Sequence, residues 1–474
     1  MHASCRLPTA LTAALIASAA SAWLPLAAAP TPPNVIVILP DQWRAQAFGF
    51  AGDRNVHTPN LDRLAGQSVN LVNAVAGTPV CSPTRASIMT GQRALTNGVF
   101  LNDVALTPTV DSLGRVLATA GFDTGYIGKW HLNGGNRLLF IPPCRRQGFD
   151  YWKACECTHD YNQSVYLANT PQPLQWKGYD AIAQTDDAVH YVRTHAHTGK
   201  PFLLFLAWGP PHSPYETAPE KYRAMYDRDK IVLRANVPAG TAGTARAMLA
   251  NYYAHCTALD DCLGTLRAAL ADAGLEENTL LIFTSDHGDL LGSQGGFNKQ
   301  QPYDESVRVP LLVHWPAALG TAAKTLDAPI NSEDIMPTIL GLCGVRIPAS
   351  VEGRDYSTYL RGGASPSDGA TLISCAAPFG QWTRKVGGRE YRGVRTERYT
   401  YVRDLKGPWL LFDNLRDPYQ EKNLVGQPNT VILQAGLEAR LAQKLAAAHD
   451  LFLPAEAYIK QWGYAVDKDG TMPY

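Results

Sequence analysis

Two pairs of polar residues, Asp41-Gln42 and Asp286-His287, each stand just after an apolar run. Together they offer two carboxylates, an amide oxygen and one imidazole nitrogen, a donor set for a single divalent cation. Oxygen-rich sites of this kind suit calcium, magnesium or manganese, and the nitrogen keeps manganese in play. Each residue alone has a plainer reading, since an acid after a strand is often a helix cap. Their convergence is what points to a metal. A thiol joins them at Cys81, within Pro79-Val80-Cys81-Ser82-Pro83-Thr84-Arg85. Pro83 and Thr84 mark a helix start there, which puts Cys81 beside amide groups that favour an anion. A thiolate phosphatase loop needs five residues between Cys and Arg, whereas three separate Cys81 from Arg85.

These residues can meet only if the apolar runs lie side by side. The stretches 34–39, 202–208 and 279–284 are continuous and rich in Val, Ile, Leu and Phe, as strands buried on both faces are. A further strand candidate, Thr124-Gly125-Tyr126-Ile127, runs into Gly128-Lys129-Trp130-His131, and 202–208 runs into Pro210-Pro211-His212. Helical patterns over 110–120, 181–193 and 244–273 alternate with the strands, predicting an α/β fold with a large, mostly parallel sheet sandwiched by helices. In such sheets ligands bind where the strands end, so acids, imidazoles and lysine gather on one edge. The α/β catalytic domain is expected over 34–345. From 346 to 474 the texture changes to short alternating strands (393–402, 409–412), a turn at Asp417-Pro418 and a helix over 431–448, a smaller antiparallel sheet plus helix. The segment 155–178 and the tail after Phe452 read as loop-rich.

At this point the chain resembles the formylglycine-dependent sulfatases of the alkaline phosphatase superfamily. Cys81-x-Pro83-x-Arg85 followed by Thr90-Gly91 is similar to the motif that directs enzymatic oxidation of the cysteine to formylglycine. Gly121 to His131 is similar to the second family motif, with Phe122 where Tyr or Val is commoner. The likeness continues through Pro210-Pro211-His212, Asp286-His287-Gly288-Asp289 with Lys299, Tyr303 to Pro310, and Leu411-Phe412-Asp413.

The resemblance implies hydrolysis of sulfate monoesters. The aldehyde at residue 81 is hydrated to a gem-diol, one hydroxyl attacks sulfur, and the other is deprotonated to drive sulfate release. Asp41, Gln42, Asp286 and His287 are the implied metal ligands, with residue 81 completing the shell around calcium, or alternatively manganese or magnesium. Arg85 would hold the formylglycine, and Lys129 and Lys299 would bind sulfate oxygens. His131 would deprotonate the second hydroxyl and His212 assist the leaving oxygen, roles that could be exchanged. A sulfatase-maturating, formylglycine-generating enzyme is an implied partner. Sulfated carbohydrate is the expected substrate, and aryl sulfates are compatible. The polar, aromatic segment Cys155 to Tyr161, with His159 and Asp160, is a candidate pocket lining or a plain surface loop. Many sulfatases carry an acid where Gln42 stands and Asn where His287 stands. The Gln and His pair, with Trp43 and Arg44, also resembles formylglycine-dependent phosphonate monoester and phosphodiester hydrolases. Glu305 and Arg308 read as a structural ion pair.

The N-terminus has the layout of a secretory signal peptide, with an apolar run from Leu11 to Ala20 and an Ala20-Ser21-Ala22 cleavage site. Residues 1–22 are therefore read as a leader and 23–33 as a linker, giving an exported, periplasmic or secreted protein without a membrane span. Lys plus Arg and Asp plus Glu each number 42, for a formal net charge of zero. No basic block suggests nucleic acid or an anionic membrane as partner. Of nine cysteines, Cys5 lies in the leader and Cys81 has its own role, which leaves an odd number and no assignable disulfide.

Overall fold

The computed structural model describes residues 32–473. The leader over 1–22, Cys5 and most of the 23–33 linker lie outside the described residues. Eight strands form the main sheet: β1 (Asn34–Ile38), β2 (Val69–Leu71), β3 (Asp123–Lys129), β4 (Tyr151–Cys155), β5 (Phe202–Ala207), β6 (Thr279–Thr284), β7 (Leu311–His314) and β8 (Lys324–Leu326). Their spatial order is β8-β2-β7-β6-β1-β5-β3-β4. The five strands β6, β1, β5, β3 and β4 run parallel. β7 is antiparallel to both β6 and β2, so the sheet is mixed with a parallel centre.

Helices cover both faces: α1 (Cys81–Thr90) and α2 (Leu113–Thr119) on one, α3 (Asp180–His195) and the long α4 (Ala242–Asp272) on the other. This explains the unbroken apolar run in β1. Val35 and Val37 pack with Ile88, Met89 and Leu117, while Ile36 and Ile38 pack with Leu259, Leu263 and Leu266. Each such side chain, fully buried, contributes roughly 1.5–3 kcal/mol. With both faces of the centre so committed, the strand ends are the places left for polar chemistry.

Beyond these elements, β9 (Ala370–Cys375), β10 (Tyr391–Thr396), β11 (Tyr399–Asp404) and β12 (Gly407–Asp413) form an antiparallel meander. One of its faces packs Ile373, Tyr391, Val402 and Phe412 with Val75 of the main body. The other packs Val394, Tyr401 and Leu411 against Leu437 and Leu441 of α5 (Val431–Ala447). The tail after Phe452 holds more order than its sequence suggests. Pro454 opens a short helix, α6 (Ala455–Trp462), which sets Ala455 and Tyr458 into the main core. Glu305 and Arg308 do not pair with each other as expected. Glu305 takes Arg234 at 3.0 Å, and Arg308 takes Asp304 at 3.4 Å. Every described cysteine is free. Among the described residues, no helix is long and apolar enough to cross a membrane.

Candidate active site

Four neighbouring parallel strands deliver the site. β1 leads to Asp41 and Gln42, β6 to Asp286 and His287, β3 ends on Lys129 with His131 beyond, and β5 leads to His212. Gly128 is required in this packing, because a Cβ there would meet the Ala207 carbonyl oxygen at 2.0 Å and its φ is +108°. Cys81 begins α1, its sulfur buried among these ends. The thiol has the Lys299 Nζ at 3.0 Å, the His287 Nε2 at 3.3 Å and the Asp41 Oδ1 at 3.7 Å. Burial and Asp41 both push this thiol up. The charges of Lys129, Lys299 and His287 outweigh them and hold it well below the usual thiol range.

Arg85, one turn along α1 from Cys81, locks the two carboxylates. Its Nε donates to Asp286 Oδ2 at 3.0 Å, its Nη2 to Asp41 Oδ2 at 3.1 Å, and its Nη1 to the Lys129 carbonyl at 2.9 Å. Lys129 Nζ also donates to Asp41 Oδ2, at 2.6 Å. Although burial favours a neutral Asp41, the charges of Lys129, Arg85 and Lys299 keep its carboxyl well below the ordinary range. Lys129 is lifted in return: burial lowers it, but Asp41 raises it further. It stays charged.

The remaining lone pairs converge. Burial and Lys299 lower the His287 imidazole, but Asp286 and Cys81 outweigh them and raise it, so it is a cation beside the thiolate. In its neutral form it must donate Nδ1–H to the Gly288 carbonyl at 2.9 Å, which leaves the Nε2 lone pair for a metal. Gln42, at φ +68°, gives its amide nitrogen to Tyr215 and Asp289, which turns Oε1 inward, where Lys299 Nζ meets it at 3.1 Å. Donor atoms of Asp41, Cys81, Asp286 and His287 all lie within 4.8 Å of one another. Two carboxylates, an amide oxygen and a fixed-tautomer imidazole fit a divalent cation, with the orientation of Gln42 and His287 supplied by their outer partners.

His131 and His212 flank this centre. His131, at φ +59°, has its Nε2 3.0 Å from Asp103 Oδ1, while its buried Nδ1 has no hydrogen-bond partner. Burial and Lys129 pull His131 down, but Cys157, the Asp103 hydrogen bond and the nearby Cys81 side chain raise it to about 9. His212 donates Nδ1–H to the Ser213 carbonyl at 2.7 Å and accepts from Lys299 Nζ at 3.2 Å. Burial and Lys299 hold it well below the usual imidazole range.

All the expected side chains of the centre therefore come together. His159 also reaches it, stacked on His212 with ring centroids 5.2 Å apart. Asp160 does not: its carboxylate closes its own turn by accepting the Asn162 and Gln163 amides. Asp103, Tyr215 and Cys157 were not singled out as site residues from the sequence. Asp103 lies in a loop and Tyr215 in a single 3-10 turn, where no spacing marks them. Cys157, lowered to about 6 against burial by Lys129 and His131, sat in the segment read as possible lining.

A donor set of this kind, ringed by fixed cations, suits a metal-assisted hydrolase acting on an oxyanion ester. The sulfatase family profile matches residues 33–345, and that of the N-sulphoglucosamine sulphohydrolase C-terminal region matches 292–447. An ulvan-active sulfatase of Formosa agariphila is 42% identical over 452 residues, covering 94% of this chain and 87% of that one. A solved structure concerned with glycosaminoglycan metabolism in Bacteroides thetaiotaomicron superposes with a TM-score of 0.81 at 28% identity, covering 91% of this chain and 99% of the other. The phosphonate monoester hydrolase of Agrobacterium radiobacter shares the fold, with a TM-score of 0.71 at 23% identity over 89% and 96% of the two chains. The chain belongs to the sulfatase family, enzymes that hydrolyse sulfate esters, and membership implies a metal and a formylglycine.

Proposed function

We propose that this exported sulfatase removes sulfate from a sulfated polysaccharide, with its catalytic part over 34–345 and a C-terminal α+β part over 346–474. The observation that carries the reading is the environment of Cys81 at the start of α1, where three cations face two carboxylates beside a fixed imidazole lone pair. The substrate class is supported by the ulvan-active relative. The Sγ of Cys81 stands in for the formylglycine oxygens produced by a maturating enzyme. Hydrated formylglycine supplies two hydroxyls, one to attack sulfur and one to drive release. A divalent ion, calcium in this reading, held by Asp41, Gln42, Asp286 and His287, supplies nucleophile activation and charge neutralisation.

The chain's own side chains do the rest. Arg85 keeps both carboxylates in place, and Lys129 and Lys299 hold the sulfuryl oxygens. His131 serves the second hydroxyl from Nδ1, with Asp103 on its other nitrogen stabilising the imidazolium. Part of its rise comes from the Cys81 thiol, which formylglycine replaces, so the matured enzyme holds a weaker imidazolium that can act as base. His212, beside Lys299, serves the leaving oxygen. His159, stacked on His212, is the residue of its loop placed to meet the saccharide, while Asp160 closes the turn beside it.

A second reading, a phosphonate monoester or phosphodiester hydrolase, is favoured by Gln42 and His287 as ligands. Comparing kcat/KM for desulfation of defined sulfated oligosaccharides with that for phosphonate monoesters and phosphodiesters separates the two. The sulfate reading expects the saccharides to win, and clear preference for phosphorus overturns it. Peptide mass analysis must find formylglycine at residue 81. Active protein containing only the thiol would overturn the mechanism.

A further inference from the structure

Lys299 is a long, flexible side chain whose ammonium must stand at one point, between Gln42 Oε1, the residue 81 side chain and His212 Nε2. Side chains of this type hold such a position only when something fixes the backbone beneath them. Here the two flanking residues, Asn298 at φ +63° and Gln300 at φ +74°, both adopt left-handed conformations that non-glycine residues avoid unless surrounding contacts impose them. For Asn298 the anchor is local, since its carbonyl accepts the Leu290 amide at 2.8 Å. For Gln300 the anchors come from elsewhere in the chain.

The buried Gln300 side chain pairs with the Phe379 backbone as a neighbouring strand would. Its Nε2 donates to the Phe379 carbonyl at 2.8 Å, and its Oε1 accepts the Phe379 amide at 3.3 Å. The Gln300 carbonyl accepts the Tyr391 hydroxyl at 2.8 Å, and the Gln300 amide donates to the Pro79 carbonyl, two residues before Cys81, at 3.2 Å. Phe379 follows β9 and Tyr391 opens β10. Four hydrogen bonds thus tie the residue after Lys299 to the C-terminal sheet and to the approach of the nucleophile.

We infer that Gln300 is a positioning residue through which the C-terminal sheet sets the place of the Lys299 ammonium. The inference rests on the proposed role of Lys299 in holding sulfuryl oxygens. A displaced ammonium weakens the grip on sulfate in substrate and product alike. A role confined to folding would lower stability and leave affinity of the folded enzyme unchanged.

The test uses full-length, matured, metal-loaded enzyme with formylglycine occupancy at residue 81 matched between variants. Gln300→Ala is expected to lower kcat/KM by about 10–100-fold, the range for small misplacements of an active-site group. It should raise the inhibition constant of inorganic sulfate by a similar factor. Tyr391→Phe, which keeps the ring and removes one hydroxyl, should move both in the same direction by about 3–10-fold. It keeps the test available if Gln300→Ala folds poorly. In a Lys299→Ala background, Gln300→Ala should change kcat/KM by less than about 2-fold, the non-additivity of two residues acting through one group. Wild-type-like sulfate inhibition in both single variants, or full multiplication of the losses, overturns the inference. A Lys299→Ala enzyme with near-normal kcat/KM would instead overturn the role of Lys299 itself, and the inference with it.

Discussion

Two clusters of buried charge in this molecule use the same residue types to opposite ends. Where the C-terminal sheet docks, Arg395 of β10 grips Asp304 with two hydrogen bonds, at 2.9 and 3.0 Å. Gln420 and Arg308 complete the shell of that carboxylate, and the Arg395 Nη1 is shared between Asn73 and the Thr396 carbonyl. At the sheet edge, Arg85, Lys129 and Lys299 surround Asp41 and Asp286, and lone pairs of Gln42 and His287 remain directed inward. Burial and charge are common to both. The difference is valence: in the docking cluster the Asp304 carboxylate and the Arg395 guanidinium are satisfied by fixed protein partners, while the sheet edge holds cations and donors whose natural partners are a metal and an anion. Active sites are arranged in this way, at a cost to stability that the rest of the fold offsets.

The contrast breaks most visibly by removing one cation from each cluster. Lys129→Met should lower kcat/KM by about 10³-fold, roughly 4 kcal/mol of transition-state stabilisation, with a smaller stability loss than Arg395→Ala, because Arg85 still pairs with Asp41. Arg395→Ala strands the buried Asp304 and should cost about 3–5 kcal/mol in urea unfolding. Its activity per folded molecule should stay within about 3-fold. If Lys129→Met unfolds the protein and Arg395→Ala leaves stability untouched, the two clusters have been assigned the wrong way round.

Chelation sharpens the comparison at a smaller scale. Removing a divalent ion leaves Asp41 and Asp286 facing each other with fewer cations, and the ion binds the folded state alone. Restoring it at about 100 times its dissociation constant should add about 2.7 kcal/mol, read as a rise in melting temperature. Asp286→Asn should abolish that rise, whereas Arg395→Ala should retain it. A melting temperature indifferent to added calcium, manganese and magnesium would remove the metal from this donor set.

Much of this arrangement is legible in the sequence, for identifiable reasons. The β1, β5 and β6 runs are unbroken because both of their faces are covered, so their ends could be located, and with them Asp41, Gln42, Asp286, His287 and His212. Cys81 and Arg85 are neighbours on one helix, where a short motif suffices. What escaped depends on contacts between distant segments. Asp103 reaches His131 from a loop, Tyr215 orients Gln42 across more than 170 positions of chain, and Gln300 reads the backbone of Phe379. Such pairings leave no periodicity. The supposed Glu305–Arg308 pair failed for the same reason: the two residues are close in sequence, yet Arg234 and Asp304 meet them first.

The smallest expected effect concerns the docking cluster in acid. Burial pushes Asp304 up, but Arg395 and then Arg308 outweigh it and hold the carboxyl at about 2, against about 3.9 for an unfolded aspartate. A depressed folded value means the stabilisation is present above the unfolded value and is lost as pH falls through the folded one. Protonating Asp304 should therefore remove roughly 2–3 kcal/mol between about pH 5 and pH 2. Other carboxylates titrate over the same window, so the measurement is a difference: urea unfolding of wild type and Asp304→Asn at pH 5 and at pH 3. The gap between them should narrow as pH drops, because the variant has no charge to lose. A constant gap would mean that the Asp304–Arg395 pair owes its place to shape and hydrogen bonding, with its charge contributing nothing to stability.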